Sequence, residues 1–271
     1  MRKWFILFII SMLPYAAFAD AVQIGSLWYN LDESTMTAEV TSSGGDSYTG
    51  DIVIPSTVPY GEDTYSVTSI GERAFQECYY LTSVTISEGI TKIGICAFMS
   101  CYNLTRVEIP STVTLIDPWA FSYCENLVSV TSKIVTPFEI DQNVFCVGTN
   151  EVEGKTVYTP TSAFLLVPSG SKSAYQALAG WNVFDGIYEG DYAEASDGTL
   201  NYRYFTGENI AVVISGEYSE LQKVTIPGSV TLDGSAYSVK AVGSRAFINC
   251  SNLDSLIIEE GVDTIGNNAF E

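Results

Sequence analysis

The sequence contains no histidine and few charged side chains. Lys, Arg, Asp and Glu together make up 16% of the 271 residues. Without histidine, the usual Ser-His-Asp and Cys-His catalytic arrangements are excluded. None of the six cysteines forms a C-x2-C pair, and there is no calcium-loop or phosphate-binding glycine motif. The sequence therefore predicts no enzymatic activity, no cofactor and no bound metal.

Basic residues are especially scarce, with 12 against 32 acidic residues and a formal net charge of −20. A surface this acidic repels phosphate backbones and anionic lipid headgroups. We therefore expect neither nucleic acid nor an anionic membrane surface as a partner, and we interpret the charge as serving solubility.

The first nineteen residues have the pattern of a secretory signal. Arg2 and Lys3 precede an apolar run from Trp4 to Leu13, Pro14 follows, and Ala17-Phe18-Ala19 supplies small residues at the cleavage positions. The run is too short to span a bilayer comfortably. We predict cleavage after Ala19, a secreted or bacterial cell-surface location, and no membrane insertion of the mature chain.

Four apolar columns recur every 23 residues between about residues 67 and 135. They are Ile70, Ile93 and Ile116; Phe75, Phe98 and Phe121; Cys78, Cys101 and Cys124; and Leu81, Leu104 and Leu127. The repeat reads roughly I-G-x-x-A-F-x-x-C-x-N-L-x-x-V-x-I-P-x-x-V-x-x. Such a period predicts a solenoid in which each coil buries its apolar face against its neighbours.

In addition to the 23-residue repeat, a longer segment of the sequence recurs at an offset of 172 residues. Ile54–Val58 matches Ile226–Val230, Phe75 matches Phe247, and Phe247 and Phe270 again stand 23 apart. This predicts one complete unit over 20–189 and a second unit from 190 that breaks off inside a repeat. We expect the chain to be a fragment of a longer protein or the product of a truncated gene model.

Each repeat position predicts a local structure. Alternation in Leu81–Ile86 predicts a half-buried strand, and the strands form one parallel sheet. Pro110 stops a strand of this kind, because proline cannot donate to a ladder. Ala74-Phe75 predicts a short helical turn, and Asn103 a turn held by hydrogen bonds to the local backbone. The predicted fold is mainly β with short helical turns and β-rich caps.

The remaining segments predict caps around the repeats. The predicted domains are the signal peptide (1–19), an N-terminal β cap (20–66), the repeats (67–135), a degenerate repeat and closing cap (136–189), the cap of the second unit (190–240) and the start of a second array (241–271). In the closing cap, Ala163–Pro168 predicts a strand. Lys172–Leu178 predicts a helix with Ser171 as its N-cap, and Trp181 and Phe184 are expected beneath it. A linker is predicted over Glu189–Gly198.

Cys78, Cys101 and Cys124 share one interior column. Adjacent coils bring such positions near bridging range, so a Cys78–Cys101 disulfide is possible. We favour free buried thiols, because unpaired cysteine behaves as a small hydrophobe. Cys96 and Cys146 lie off the column.

The runs Ser69–Cys78 and Thr91–Leu104, with the lead-in Tyr48–Thr57 and the closing Ala163–Trp181, resemble the BspA-like (treponemal-type) leucine-rich repeats of bacterial surface proteins. The resemblance covers most of the chain after the signal. It implies a leucine-rich-repeat solenoid and a surface or secreted protein used in adhesion, aggregation or recognition of host molecules.

The outward face of the predicted sheet is the candidate ligand site, because repeat surfaces are commonly used for binding. Its candidate residues are Ser83, Thr85, Arg106, Glu108, Ser129, Thr131, Lys223 and Thr225. The expected partner is an extracellular protein or glycan. Two alternatives stay open: a structural spacer that presents another domain, and a carboxylate pair that hydrolyses glycans, although no acidic pair recurs where a cleft is expected.

Overall fold

The computed structural model describes residues 21–44, 48–152, 155–243, 245–266 and 268–270. The predicted signal peptide, residues 1–19, lies outside the described residues. The two units carry separate hydrophobic cores, one spanning Leu27 to Ile187 and one spanning Leu200 to Ala269. The unit of the fold is therefore repeated, as the 172-residue offset predicts, while the domain boundaries themselves stay predictions.

The first unit contains one short helix and fifteen strands among its described residues. These are β1 (Val22–Ile24), β2 (Leu27–Asp32), β3 (Thr37–Thr41), β4 (Gly50–Ile54), β5 (Thr57–Tyr60), β6 (Asp63–Ile70), β7 (Leu81–Ile86), β8 (Lys92–Ile93), β9 (Arg106–Ile109), β10 (Leu115–Ile116), β11 (Ser129–Ser132), β12 (Gly148–Val152), β13 (Lys155–Thr159), β14 (Phe164–Val167), α1 (Lys172–Ala177) and β15 (Gly186–Glu189).

The long strands of successive coils form a six-stranded parallel sheet, the front sheet, in the order β15-β14-β11-β9-β7-β4. Val84 pairs with Val107, and Val107 pairs with Val130, so each of these two central steps of the ladder is one 23-residue repeat. These three side chains are buried, because alternate residues of a strand point to opposite faces. The predicted mainly-β solenoid with its parallel sheet is confirmed.

The return path of each coil builds a second sheet behind the core. Ile70 pairs in parallel with Ile93, and Ile93 with Ile116, so the isoleucine column becomes a ladder. This sheet runs β1-β2-β3-β6-β8-β10, with β5 also paired to β6, and its first strands belong to the N-terminal cap. The core lies between this sheet and the front sheet.

The phenylalanine column fills the interior as a continuous stack. Ring centroids lie 4.7 Å apart for Phe75 and Phe98, 5.0 Å for Phe98 and Phe121, and 5.2 Å for Phe121 and Phe145. The repeat spacing therefore matches the strand separation of about 5 Å. Phe145, which lies in the segment predicted as a degenerate repeat and closing cap (136–189), continues the column.

The connection after each glycine is not the predicted short helical turn. Phe75 N donates to Ala97 O at 2.7 Å and Phe98 N to Ala120 O at 2.7 Å, so these amides bond to the next coil. Ala74 N and Cys78 N bond locally, three residues back. Left-handed residues such as Arg73 (φ 56°) and Glu77 (φ 60°) redirect the chain between these bonds. A helix would keep every amide inside its own coil and leave the stack without these cross-links.

Gly94 is needed for the close approach of adjacent coils. A Cβ atom there would lie 2.8 Å from the carbonyl carbon of Gly71 and 2.9 Å from the backbone nitrogen of Glu72. Because the obstacles are backbone atoms, a larger residue would push the two coils apart.

The cysteine column consists of free thiols, as favoured from the sequence. Cys78, Cys101 and Cys124 are buried and unbridged. The Sγ of Cys101 donates to Phe75 O at 3.1 Å, and that of Cys124 to Phe98 O at 3.3 Å, so each thiol links its coil to the preceding one. Burial raises the pKa of Cys78 to about 11, which keeps this thiol protonated at neutral pH.

The asparagines of the turns also link coils. The side-chain amide of Asn103 donates to Tyr79 O at 2.7 Å, and that of Asn126 to Tyr102 O at 2.9 Å. The expected bond to the local backbone is therefore wrong. The acceptor lies one coil earlier, because the stack brings that carbonyl within hydrogen-bonding distance.

The closing cap seals the far end of the phenylalanine stack. Helix α1 forms as predicted, but Ser171 makes no side-chain cap and instead donates its hydroxyl to Pro168 O at 2.6 Å. Beneath the helix, Trp181 lies 5.1 Å from Tyr175 in an edge-on contact, and Phe184 lies 4.8 Å from Phe145. The expected packing beneath the helix is confirmed for Trp181, while Phe184 is buried against the end of the phenylalanine column.

The second unit repeats this topology over β16 (Tyr192–Ser196), β17 (Asn201–Phe205), β18 (Ile210–Ile214), β19 (Lys223–Ile226), β20 (Ser229–Leu232), β21 (Ser235–Val242), β22 (Ser255–Ile258) and β23 (Thr264–Ile265). Strands β16-β17-β18-β21-β20 form its cap sheet, with β23 paired to β21, and β19 pairs with β22 in parallel. The linker predicted over Glu189–Gly198 is wrong: β15 ends at Glu189 and β16 begins at Tyr192, so most of that segment is strand.

Candidate functional site

The outward positions of the front sheet in the first unit hold six of the eight candidate residues. Arg106 is exposed, and Ser83, Thr85, Glu108 and Thr131 are partly exposed. We call the outward side chains of β4, β7, β9 and β11 the open face. Its residues project from a rigid sheet, because the intervening side chains are buried in the core.

Ser129 does not belong to the accessible surface. It is only 4% exposed, although it is an outward position of β11. Its partner in β14 is Phe164, which is itself buried. Bulky neighbours on that side cover the small serine, so this part of the predicted face is closed.

Lys223 and Thr225 are exposed, but they lie on β19 of the second unit. That strand pairs with β22, in a two-stranded sheet separate from the front sheet of the first unit. The structure therefore brings the first-unit candidates together and leaves these two on another surface.

Hydrogen bonds order the open face at its first strands. One carboxylate oxygen of Asp51 accepts from Ser83 Oγ at 2.6 Å and from Thr82 Oγ1 at 2.8 Å. These bonds lower the pKa of the Asp51 carboxyl.

At β9, Glu108 forms an ion pair with Lys133, whose ammonium pKa is raised by that hydrogen bond. Lys133 follows β11, and its 25-residue separation from Glu108 hid the pair from sequence reasoning.

The second unit covers the end of the front sheet. Outward-facing Phe164 and Leu166 of β14 form a buried cluster with Phe205, Val212 and Ala241 of the second-unit cap sheet. The two units therefore meet through an apolar contact that hides one end of the front face.

Arg203 sits at the centre of this contact and is 8% exposed. Its guanidinium carbon lies 4.3 Å from the ring centroid of Phe164 and 5.2 Å from that of Tyr192. Its Nε donates to Glu194 at 3.0 Å, so the buried charge is compensated. Planar stacking of this kind suits arginine better than lysine.

A polar network joins the units beside the apolar contact. Lys172 Nζ donates to Glu208 at 2.6 Å, and the other carboxylate oxygen of Glu208 accepts from the Glu189 backbone at 2.7 Å. Glu189 in turn accepts from the Lys172 backbone at 2.9 Å. Backbone hydrogen bonds from Gly170 and from Lys172 lower the pKa of its carboxyl.

A cleft of about 660 Å³ opens where the two units meet, at the amino-terminal ends of the front strands. We call it the inter-unit cleft. Arg106 from β9, Arg203 from β17 and Arg245 after β21 all line it. Arg245 Nη1 donates to Asn126 Oδ1 at 3.0 Å across the unit boundary. Three of the five arginines in the sequence thus line the inter-unit cleft.

Sequence reasoning singled out Arg106 and missed both Arg203 and Arg245. One signal pointed to the contact that assembles them. Phe164-Leu165-Leu166-Val167 is apolar on both faces, which indicates a strand covered on both sides. The covering surface lies about 40 to 80 residues further along the chain, and no periodicity links the two.

Among the described residues, no group of His, Cys, Asp or Glu side chains is arranged to hold a metal ion. In the same part of the chain, no helix is long and apolar enough to cross a membrane.

The family model for the BspA type leucine rich repeat region matches residues 62–153 and 217–271, in six copies. Together these segments cover more than half of the chain. No curated protein sequence matches it.

Three solved bacterial proteins are similar in structure. A leucine rich cell surface protein from Faecalibacterium prausnitzii is 23% identical, over 93% of this chain and 74% of its own, with a TM-score of 0.37. A leucine-rich repeat protein from Bacteroides capillosus is 30% identical, over 42% of this chain and 82% of its own, with a TM-score of 0.37. A leucine rich repeat protein from T. pallidum is 19% identical, over 90% of this chain and 85% of its own, with a TM-score of 0.35.

Proposed function

The chain belongs to the BspA-type leucine-rich repeat family, and from this premise we propose that it is an extracellular adhesion or recognition module that binds through its open face. Membership in this family makes it a repeat-based binding or recognition module. The proposal adds the place of binding, the extracellular location and the class of ligand, which is a protein or glycan outside the cell.

The uncovered state of the open face is the observation that carries the proposal. Its inward neighbours Val84, Val107 and Val130 are buried, while Ser83, Thr85 and Arg106 reach solvent. On β14, by contrast, the equivalent outward side chains are apolar and are covered by the second unit. The face thus changes from apolar on β14 to mainly polar on β11, β9 and β7 where the covering ends, while Val53 on β4 is apolar and exposed.

The predicted signal peptide supports an extracellular location, since residues 1–19 have the charged, apolar and small-residue regions that direct secretion. Small hydroxyl side chains such as Ser83 and Thr85 carry little side-chain entropy, so they cost little to immobilise on binding. Arg106 supplies the strongest anchor on this face, because its planar guanidinium can donate several hydrogen bonds at once.

The double substitution Arg106→Gln with Glu108→Gln is expected to weaken binding about tenfold or more. Interface arginines often contribute at least 1.4 kcal/mol, which corresponds to this factor. The measurement is a titration of the chain lacking residues 1–19 against the tightest ligand from an array of extracellular-matrix proteins and glycans.

The matched control is Glu72→Gln with Arg73→Gln, which also removes one positive and one negative charge. That pair is exposed, with 3.7 Å between Arg73 Nη1 and Glu72 Oε1, and it lies in the turn connection rather than on the open face. The control should bind like the parent chain. Equal affinity for parent and open-face variant, or an array without any ligand, would remove support for this function and favour the spacer alternative.

A further inference from the structure

We propose that the inter-unit cleft is a binding site for a carboxylate-bearing saccharide, held by Arg106 and Arg245. The site rests on the proposed recognition function and shares Arg106 with the open face, and it adds a ligand class and a location between the two units. Its volume of about 660 Å³ falls within the usual range of small-ligand sites.

The two arginines have guanidinium groups available for an anion. Among the described residues, neither Arg106 nor Arg245 forms an ion pair with a carboxylate, whereas the third arginine of the cleft, Arg203, is paired with Glu194. Guanidinium groups match carboxylates in shape and can donate two parallel hydrogen bonds. Arg106 and Arg245 come from different units, so the anion site exists only when the units are packed together.

Arg245 is held in place from the opposite unit. The amide of Asn126 accepts from Arg245 Nη1 at 3.0 Å and donates to Tyr102 O at 2.9 Å. The side chain that orients Arg245 is therefore itself fixed to the backbone of the first unit. A preorganised guanidinium loses less entropy when a ligand binds.

The other groups of the cleft suit the hydroxyls and the apolar face of a sugar. Three carboxylates also line it, from Glu125, Asp185 and Glu194, of which Glu194 is already bonded to Arg203 and Glu125 is exposed. A carboxylate accepts hydrogen bonds from hydroxyl groups. Val128 and Ile248 also line the cleft, and they are 40% and 41% exposed, which leaves apolar surface for the C–H face of a pyranose ring.

The charge distribution favours an acidic saccharide over an acidic polypeptide. The chain carries a net charge of −20, so an extended polyanion would be repelled along most of its path. A single acidic sugar needs only the local arginine pair. The mixed lining of arginines and carboxylates also matches a ligand that combines one anionic group with several hydroxyl donors.

The test is calorimetric titration of the chain lacking residues 1–19 with two acidic probes and their neutral counterparts. The probes are 3′-sialyllactose, compared with lactose, and a glucuronate-containing hyaluronan tetrasaccharide, compared with its methyl ester. We expect at least one acidic probe to bind at least tenfold more tightly than its counterpart. The probe that binds identifies a sialic acid or a uronic acid as the source of the carboxylate.

Arg245→Gln should weaken binding of that probe at least tenfold. Arg73→Gln is the matched control, because Arg73 is the equivalent residue of the first unit at the 172-residue offset and has nearly the same φ, 56° against 57°. It does not line the cleft. Thermal unfolding of both variants checks that the fold is retained.

Three results would overturn the site: no binding of either acidic probe, equal binding of acidic and neutral forms, or equal affinity for Arg245→Gln and Arg73→Gln. The array ligand separates these results from failure of the proposed function. Suppose that one of these three results is obtained, while the array ligand binds the parent chain and Arg245→Gln but not the Arg106→Gln, Glu108→Gln variant. Recognition through the open face is then supported, and the saccharide site in the cleft is rejected.

Discussion

Replacement of Phe98 by alanine is expected to lower the free energy of unfolding of the first unit by about 3–5 kcal/mol. Phe98 is fully buried, and its ring lies between Phe75 and Phe121 at centroid distances of 4.7 and 5.0 Å. Its removal leaves a cavity and breaks the aromatic stack at its middle. Neighbouring coils are cross-linked by hydrogen bonds such as Phe98 N to Ala120 O, so they cannot collapse freely into the space. Urea denaturation followed by circular dichroism measures the loss.

Phe270 offers a matched control at the same position of the repeat. It stacks on Phe247 at 5.1 Å but is 39% exposed, so the same substitution removes less buried surface. Phe270→Ala should lower the free energy of unfolding by about 1 kcal/mol, clearly less than Phe98→Ala. A Phe98→Ala loss below 1 kcal/mol would contradict the continuous aromatic core.

Replacement of Trp181 by alanine is expected to have an effect of similar size, about 3–5 kcal/mol. Trp181 is fully buried beneath α1, 5.1 Å from Tyr175 and 5.9 Å from Phe145. Its Nε1 donates to Phe138 O at 2.8 Å, so alanine also leaves a backbone acceptor without its partner. Because Trp181 closes the stack, its loss exposes the last coil of the core to water. Differential scanning calorimetry measures the change.

Trp119 provides the comparison for this substitution. It is a tryptophan of the same unit that is only partly buried and lies outside the phenylalanine column, 6.4 Å from Tyr123. Trp119→Ala should lower the free energy of unfolding by about 1 kcal/mol. Equal losses for the two tryptophans would mean that Trp181 has no special role in closing the stack.

Periodic features of the fold could be predicted from the sequence, because each coil repeats the environment of its neighbour. Phe98 has the same surroundings as Phe75 and Phe121, so the column is visible as identical residues 23 apart. The same reasoning places the isoleucine ladder and the cysteine column. The strand Phe164–Val167 and helix α1 could also be predicted, for a different reason: each has a strong local pattern.

The connections between strands were predicted less well, because their hydrogen bonds leave the coil. Residues such as Arg73 and Glu77 adopt left-handed conformations. The sequence does not indicate these conformations, because neither residue is Gly or Asn, the types that most often adopt them. The stack compensates for the cost of these conformations by pairing their amides with the next coil. Periodicity shows that coils stack, but it does not show which amide bonds to which coil.

The packing of the two units could not be predicted from repeats at all. Arg203 lies over Phe164 because two surfaces of different units fit together, and neither surface has a periodic counterpart. This contact buries the end of the front sheet around Ser129 and assembles Arg106 with Arg245. The first-unit candidates could be placed on one face, because they follow the repeat. Arg245, which forms half of the proposed saccharide site, could not be predicted.

Hydrogen exchange of the chain with and without its tightest array ligand tests most directly that the open face is the recognition surface. We expect slower amide exchange in the segments Leu81–Ile86, Arg106–Ile109 and Ser129–Ser132 when the ligand is bound. Slower exchange confined to the turn connections around Arg73–Cys78, or no change in any of the three strands, would contradict it.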